Sequence, residues 1–249
     1  MDYETLRIVW WALLGVLLIG IAVMDGFDFG TAILLPFIGR NDIERRVVVN
    51  TIGPVWEGNQ VWLILGAGAI FAAWPPLYAA AFSGFYLAMF LVLAALILRP
   101  VGFKFRSKID NPLWRGMWDW ALFIGGFVPA LVFGVAFGNL FVGVPISFDS
   151  DLRLSDSITL VSLLNPYALM AGLISVAMLV LHGATWLALK TEGTVAARAR
   201  QVAPWAAAVF FVLFTLGGAW TAHLDGYRIV SEVAGNAPSN PLFKTVARV

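Results

Sequence analysis

Long runs of apolar residues, separated by short polar segments, dominate the pattern of the chain. A helix rises about 1.5 Å per residue, so roughly 20 apolar residues cross a hydrocarbon core of about 30 Å. The runs are continuous, whereas the strands of a barrel would alternate apolar and polar positions. The pattern therefore predicts an all-α, polytopic membrane bundle with six transmembrane helices. The predicted spans are residues 6–37, 55–74, 77–98, 118–142, 166–189 and 202–222.

Residues 6–37 form the longest apolar run, which exceeds the length of one straight crossing. A helix of this length must tilt, kink near Gly26 or Gly30, or emerge from the bilayer. The run contains two acidic residues, Asp25 and Asp28, and their depth in the membrane therefore stays open. Their i,i+3 spacing places both carboxylates on one face of the helix.

Composition supports the membrane assignment and excludes several other classes of protein. Of the 249 residues, 60% are hydrophobic and 12% are charged, whereas soluble domains are about half apolar and a quarter charged. The net charge of +1, without a basic cluster, gives no indication of nucleic-acid binding. Zero cysteines exclude disulfides, iron–sulfur clusters and thiolate zinc sites within this sequence. The start, MDYETLR, lacks the basic region of a cleavable signal peptide, so the first span is expected to be retained.

Lysine and arginine are distributed unevenly between the two sides of the predicted bundle. Eleven of the 16 lie in the connections 38–54, 99–117 and 190–201. By the positive-inside rule, these connections are predicted to lie in the cytoplasm and the N-terminus outside. The acidic loop 144–157 and the C-terminal tail are then also predicted to lie outside.

A GxxxG pattern occurs in the fourth predicted span, at Gly134 and Gly138. Two glycines at this spacing permit another helix to approach closely. The pattern also arises often by chance, so helix pairing at this point is one of two interpretations.

Seven polar side chains within the predicted spans or at their ends are the candidate functional residues: Asp25, Asp28, Glu57, Asn59, Gln60, Arg99 and Asp119. A carboxylate at mid-span costs about 2.5–3.5 kcal/mol on insertion scales, so buried ionisable groups usually pair with one another. All four carboxylates of this set are expected to reach the level of Arg99, its one cation, near the inner leaflet. Arg99 is predicted to be the counter-ion of an aspartate in the first span. It neutralises roughly one carboxylate. Any acid left over must hold a proton or meet water, as in a proton relay.

Several of these positions also have an explanation that involves no function. Arg99 and Asp119 lie at span boundaries, where side chains reach water at little cost. Asp119 also suits a helix N-terminus, where negative charge is favoured. Glu57, with Asn59 and Gln60, could be the polar start of a helix. The sequence leaves both interpretations open.

Two histidines are the candidate haem ligands of the chain. His182 lies within the fifth predicted span and His223 just after the sixth. Helical bundles that bind haem usually offer axial His or Met. A lone histidine is more often a hydrogen-bonded core residue, and neither histidine has the paired spacing of a metal site. No redox centre is therefore expected in this chain.

Six strings follow one another over most of residues 1–145: WWALLGVLLIGIAVMDGFDFG, GRNDIERR, PVWEGNQVWLI, FAAWPPLYAAAFSGFYLAMFLVLAALILRPVGF, RSKIDNPLWRGMWDW and GVAFGNLFVGVP. Together they resemble subunit II of cytochrome bd quinol oxidase. The later strings LLNPYALMAGLISV and DGY continue the similarity more weakly.

The resemblance implies a part in a bacterial terminal oxidase that oxidises quinol and reduces dioxygen to water. In that family, subunit I carries two haems b and one haem d, and subunit II is free of haem. Subunit II supports haem retention in its partner and contributes to a cytoplasmic proton path. The complex lies in the bacterial inner membrane, in contact with lipid. Whether small single-span subunits or a structurally bound quinone accompany this chain stays open.

The same resemblance assigns roles to individual residues. Glu57 matches the position of proton uptake, where the family often has aspartate, and Asn59 and Gln60 lie beside it. Asp25 matches another acid of the first span, and the resemblance implies that it extends this path. The residues matched to haem integrity and the polar cluster are Asp28, Arg99, Asp119 and Trp56.

The chain departs from the family pattern in its number of spans. The family has eight, arranged as two four-helix bundles, whereas six are predicted here. Residues 1–143 are predicted to form the first bundle with its polar cluster, and residues 144–249 an outer loop, two further helices and a polar tail. Two other functions remain open: a purely structural scaffold, and an ion- or proton-coupled transporter. Transporters often show broken helices in corresponding positions of two halves, and no such pairing occurs here.

Overall fold

The computed structural model describes residues 2–144, 146–148, 154–156, 158–230 and 246–248. These residues are mostly helical, which confirms the predicted all-α membrane bundle. Asp149 and Asp151 of the predicted outer loop lie outside the described residues. The helices are α1 (Tyr3–Gly20), α2 (Gly26–Ile38), α3 (Asp42–Ile52), α4 (Trp56–Ala73), α5 (Pro75–Gly84), α6 (Tyr86–Phe105), α7 (Pro112–Val142), α8 (Leu160–Leu163), α9 (Pro166–Lys190) and α10 (Gly193–Thr221).

The structure also contains two short antiparallel strand pairs, which the apolar pattern did not predict. One lies in the loop after α7 and the other in the tail. Strand β1 (Ile146–Phe148) pairs with β2 (Leu154–Asp156), with Ser147 opposite Ser155. Strand β3 (Tyr227–Ile229) pairs with β4 (Val246–Arg248), with Arg228 opposite Ala247. Neither pair forms part of the helical bundle.

The long first span is one helical stretch, Tyr3–Ile38, with an irregular turn in its middle. A π-helical turn covers Ile21–Asp25, and the Gly26 N–H donates to the Ile21 carbonyl five residues back. This one-residue insertion ends directly before Gly26, one of the two positions where a kink was predicted. Burial also differs on the two sides of this turn, because α1 has no buried residue whereas α2 is buried over most of its length.

Among the described residues, five helical stretches are long and apolar enough to cross a membrane, rather than the predicted six: Tyr3–Ile38, α6, α7, α9 and α10. The predicted span 55–74 is helix α4, whose first turn carries Glu57, Asn59 and Gln60 and lowers its hydropathy. The predicted span 77–98 is divided at Phe85 between α5 and α6. Helix α6 then continues through Pro100 to Phe105, five residues beyond the proline. A membrane helix tolerates such a proline when neighbouring groups satisfy the freed backbone.

Helices α2, α7 and α9 pack against one another, with α6 beside α7 and α10 beside α9. Glycines permit the closest approaches. A Cβ at Gly183 of α9 would collide with the backbone of Gly30 in α2. Gly134 and Gly138 of α7 lie against the α9 backbone at Ala171 and Ala168, so the GxxxG pattern does mark a helix pair. The division of the chain after residue 143 stays a prediction, although α9 packs on helices from both sides of it.

Candidate functional site

The two aspartates of the first span meet Arg99 in the interior of the bundle. Arg99 Nη2 lies 2.9 Å from Asp25 Oδ1 and 3.7 Å from Asp28 Oδ2, and all three side chains are 0% exposed. Asn59 Nδ2 donates to Asp28 Oδ2 at 2.9 Å. We name these four residues the buried acid cluster. The contact predicted between Arg99 and an aspartate of the first span is therefore present.

Three elements bring the buried acid cluster together. The π turn ends at Asp25, so this residue and Asp28 in the first turn of α2 both face inward. Arg99 comes from α6, and its guanidinium carbon lies 4.5 Å from the centre of the Phe29 ring. Gly125 of α7 leaves room for the arginine stem, since a Cβ there would lie 2.9 Å from Arg99 Cγ. Packing and cation–π attraction therefore fix the position of the guanidinium.

The charges of the cluster do not balance. Two carboxylates face one guanidinium, so one negative charge is in excess unless a carboxyl group holds a proton. Asp25 Oδ2, Asp28 Oδ1, and the Nε and Nη1 of Arg99 make no hydrogen bond within the part of the chain that the structure describes. Burying an uncompensated charge is costly, and protonation is the usual way in which a protein avoids that cost. The arrangement is therefore chemically suited to take up and release one proton.

Glu57 and Gln60 do not belong to this cluster. Glu57 is exposed, Gln60 is half-buried, and neither contacts Arg99 in the described structure, so the expectation that Glu57 would face this arginine is wrong. Asn59 lies on the other side of α4 and makes the contact to Asp28 instead. Trp56 is buried and stacks on Phe103 of α6, with ring centres 5.4 Å apart. The start of α4 is thereby held against α6.

Asp119 is buried but pairs with other arginines, and the expected contact with Arg99 is absent. Arg106 Nε donates to Asp119 Oδ1, and Arg45 Nη1 lies 3.0 Å from Asp119 Oδ2. Arg106 also reaches Asp42, at 2.9 Å, and Arg115 pairs with the same aspartate, at 2.8 Å.

These partners of Asp119 were not predicted, because Arg45 and Arg106 lie in the predicted connections and only polar residues within the spans or at their ends were candidates. A signal was present in the sequence, since Arg106 follows Arg99 by seven residues and therefore shares its helix face. Arg115 also pairs with Asp110, at 2.7 Å. Unlike the buried acid cluster, this network therefore has one arginine for each of its aspartates. It joins α3, α6 and α7 at one end of the bundle.

A second ion pair ties α10 to the same end. Arg198 Nη1 lies 2.7 Å from Glu44 Oε2 and 2.6 Å from the carbonyl oxygen of Ile38, to which it donates. Hydrogen bonds from Arg198, from the Arg40 backbone N–H and from the Thr194 hydroxyl lower the pKa of Glu44 from 4.5 to about 2. We refer to this end, with the Asp119 network and the Glu44 pair, as the charged end. All three connections rich in lysine and arginine meet here.

The lowered pKa of Glu44 predicts a pH dependence of stability. The ion pair contributes fully above pH 4.5, and its contribution is lost as the pH falls from 4.5 through about 2. The thermal midpoint of Glu44→Gln should therefore lie below that of the wild type at neutral pH, and the difference should shrink over this acidic range. Thermal unfolding in detergent measures both. Glu192→Gln changes an exposed carboxylate in the connection that contains Arg198 and is the matched control. Its thermal midpoint should not approach that of the wild type over this pH range.

The two histidines lie apart from both charged clusters. His182 is half-buried in α9, and its ring meets the Phe27 ring edge-on with centres 5.7 Å apart. His223 is exposed after α10. Within the described ranges, no group of three or more His, Asp or Glu side chains is placed to hold a metal ion. The packing of His182 is that of a core residue.

The helical architecture agrees with the comparison to known families. The family model described as "Cytochrome bd terminal oxidase subunit II" matches residues 6–247. The chain belongs to this family. With five membrane-crossing helical stretches, this subunit II homologue is a multi-pass protein of the inner membrane.

Relatives extend the similarity over the whole chain. The "Cytochrome bd-I ubiquinol oxidase subunit 2" of Escherichia coli K12 is 56% identical over 248 residues, which are 99% of this chain and 65% of the relative. A "Probable cytochrome oxidase subunit 2" of Haemophilus influenzae is 56% identical over 246 residues, with the same shares. The "Cytochrome bd ubiquinol oxidase subunit 2" of Bacillus subtilis is 40% identical over 219 residues, 88% of this chain and 64% of the relative. The chain thus spans about two thirds of the length of these relatives.

A solved structure shares the fold. "The structure of bd oxidase from Geobacillus thermodenitrificans" superposes with a TM-score of 0.69 and covers 88% of this chain and 66% of the matched one. The sequence identity of this pair is 17%, so the similarity concerns the fold alone.

Proposed function

We propose that this chain acts as the haem-free subunit II of a cytochrome bd-type oxidase, which oxidises quinol and reduces dioxygen to water. The observation that carries the proposal is the buried acid cluster in a member of this family: two carboxylates share one guanidinium inside the membrane-crossing part. The names of the relatives from Escherichia coli and Bacillus subtilis describe them as subunits of ubiquinol oxidases. The partner in this proposal is a subunit I that carries haems b and d.

The role proposed for this chain is to hold and pass protons. Reduction of dioxygen to water consumes protons, so a route from the cytoplasm is required. Asp25 and Asp28 supply one proton-accepting site between them, since Arg99 compensates only one of the two charges. Asn59 orients Asp28 by donating to one of its oxygens, which leaves the other free. Arg99 is held in place beside the pair by its contact with the Phe29 ring.

Haem is assigned to the partner on the chemistry of the donors in this chain. A haem iron takes axial His, Met, Cys or Tyr ligands. His182, the histidine inside a membrane-crossing helix, packs edge-on against Phe27 and beside Gly26, so side chains of this chain already occupy its surroundings. What the chain contributes to haem retention is then a rigid neighbouring surface. Asp28, Arg99, Asp119 and Trp56 would act through that surface, since each is buried in helix contacts.

Orientation and domain organisation complete the proposal. The N-terminus lies outside, in the periplasm, because the charged end gathers the three connections in which lysine and arginine are concentrated. The charged end then faces the cytoplasm. Residues 1–143 form the unit that carries the buried acid cluster, and residues 144–249 add the outer loop, two helices and the tail.

Glu57 is the proposed point of proton uptake. Because its side chain is exposed, a substitution at this position can test the proposed role. Glu57→Gln keeps the size of the side chain but cannot carry a proton. We expect several-fold slower oxygen consumption by the purified complex, with an unchanged haem spectrum. Oxygen-electrode turnover, normalised to haem content, measures the effect. Glu192→Gln, also exposed, is the control and should turn over normally; normal turnover in Glu57→Gln would leave only a scaffold role for this residue.

A purely structural scaffold is the second candidate, and the Asp119 network favours it for that part of the chain. There, arginines and aspartates compensate one another and join three helices, which is what stability alone requires. Both candidates require assembly with a subunit I, and one measurement tests that assembly. Purification through a tag on this chain, after co-expression with a subunit I, should yield a reduced-minus-oxidised spectrum with haem b and haem d bands. A colourless preparation would contradict the assembly that both candidates require.

A further inference from the structure

A groove of about 400 Å³ opens beside the charged end, between α3 and the end of α9. It lies apart from the buried acid cluster and shares no residue with it. Its lining combines two apolar side chains with four that carry a polar or cationic group. The lining residues are Val47, Asn50, Thr51, Val55, Trp186 and Lys190.

Lys190 supplies an uncompensated positive charge to this groove. It is the last residue of α9, is exposed, and makes no ion pair within the described residues. Its ammonium nitrogen lies 5.0 Å from the centre of the Trp186 ring, so the indole positions the charge over the groove. None of the lining residues is a carboxylate, and an anion placed here would therefore meet no repulsion from the groove itself.

Hydrogen-bond donors accompany this charge. Trp186 Nε1 is buried and has no hydrogen-bond partner among the described residues. The ring of Trp186 stacks on Phe27 with centres 3.9 Å apart, which fixes the direction of its N–H. Asn50 adds an exposed side-chain amide from α3. A group with several acceptor oxygens and a negative charge would satisfy these donors together.

The position of the groove along the bundle indicates which kind of anion it would bind. Helix α9 ends at Lys190, and α3 runs along the same end of the membrane-crossing helices, so the groove lies at the level of the lipid headgroups. Val47 and Val55 provide an apolar wall on which the first part of an acyl chain can lie. Basic pockets between membrane helices on the cytoplasmic side are suited to acidic headgroups. We propose that this groove binds the phosphate headgroup of an acidic phospholipid.

Native mass spectrometry of the tagged chain, with the subunits that it retains, tests the proposal. The sample is titrated with phosphatidylglycerol and, separately, with phosphatidylcholine as the zwitterionic comparison. We expect one phosphatidylglycerol to be retained preferentially, and Lys190→Gln to weaken its binding about fivefold. Lys108→Gln removes an exposed lysine at the same end and should retain the lipid like the wild type. Asn50→Ala should also weaken retention.

Three results would overturn the proposal. The first is equal retention of phosphatidylglycerol by the wild type and Lys190→Gln. The second is an equal loss in Lys108→Gln, because general surface charge would then explain the binding. The third is displacement of the lipid by millimolar inorganic phosphate, which would identify a soluble anion as the ligand. None of these readouts depends on oxidase activity, so the proposal stands or falls separately from the function proposed above.

Discussion

Replacing Arg99 by leucine should destabilise the protein by about 3–5 kcal/mol and remove haem from the assembled complex. Arg99 is the cation that contacts Asp25 and Asp28, and the three side chains are 0% exposed. Without it, both carboxyl groups must either remain charged in an apolar interior or take up protons. Either outcome removes the contacts that hold the first span to α6. The measurements are the thermal midpoint of the purified protein and its visible spectrum.

Two further variants separate this loss of a counter-ion from a general effect of the substitution. Lys104→Leu, on the same helix but exposed, should change neither the midpoint nor the spectrum. Adding Asp25→Asn and Asp28→Asn to Arg99→Leu removes the stranded carboxylates and should restore part of the stability. A spectrum and midpoint of Arg99→Leu that equal those of the wild type would contradict the counter-ion role.

The contact between Arg99 and an aspartate of the first span could be predicted from the sequence, because it depends only on residue spacing and on the balance of charges. The i,i+3 spacing fixes a shared face for Asp25 and Asp28, and charge balance then requires a cation, for which Arg99 was the candidate at membrane depth. Neither step needs the three-dimensional arrangement of the helices. The same reasoning could not tell which of the two aspartates is nearer, since that depends on the π turn at Ile21–Asp25. A one-residue insertion in a helix is decided by packing and leaves no periodic signal.

The errors at Glu57 and Asp119 have different causes. For Glu57, the cause is the rotation of helix α4 about its axis. Glu57 and Asn59 are two residues apart, so about 200° separates them and only one can face the buried acid cluster. The neighbouring residues Trp56, Gly58 and Gln60 give no reason to prefer Asn59. For Asp119, the third predicted span ended at residue 98, so the next two turns of α6 were not expected. Those turns carry Arg106 to the same face, about 10.5 Å beyond Arg99, where it takes Asp119 as its partner.

Gly183→Ala should destabilise the protein by about 3 kcal/mol, although it adds only one methyl group. A Cβ at this position would collide with the backbone of Gly30 and Thr31 in α2, and backbone atoms cannot turn away as a flexible side chain can. Helices α2 and α9 would have to separate, and α2 carries Asp28. We therefore expect a lower thermal midpoint together with reduced haem content of the complex.

Gly68→Ala in α4 is the matched control for this substitution, because a Cβ there has no atom within 4 Å. Alanine forms helices better than glycine by about 0.8–1.0 kcal/mol, so this control should be neutral or slightly more stable. The opposite signs expected for one chemical change isolate the contact between helices from helix propensity. If both variants were stabilised, α2 and α9 could separate without cost and the close approach at Gly30 would not be needed to hold Asp28 in place. A loss confined to Gly183→Ala would instead tie the geometry of the buried acid cluster to a glycine on a helix that contributes no side chain to it.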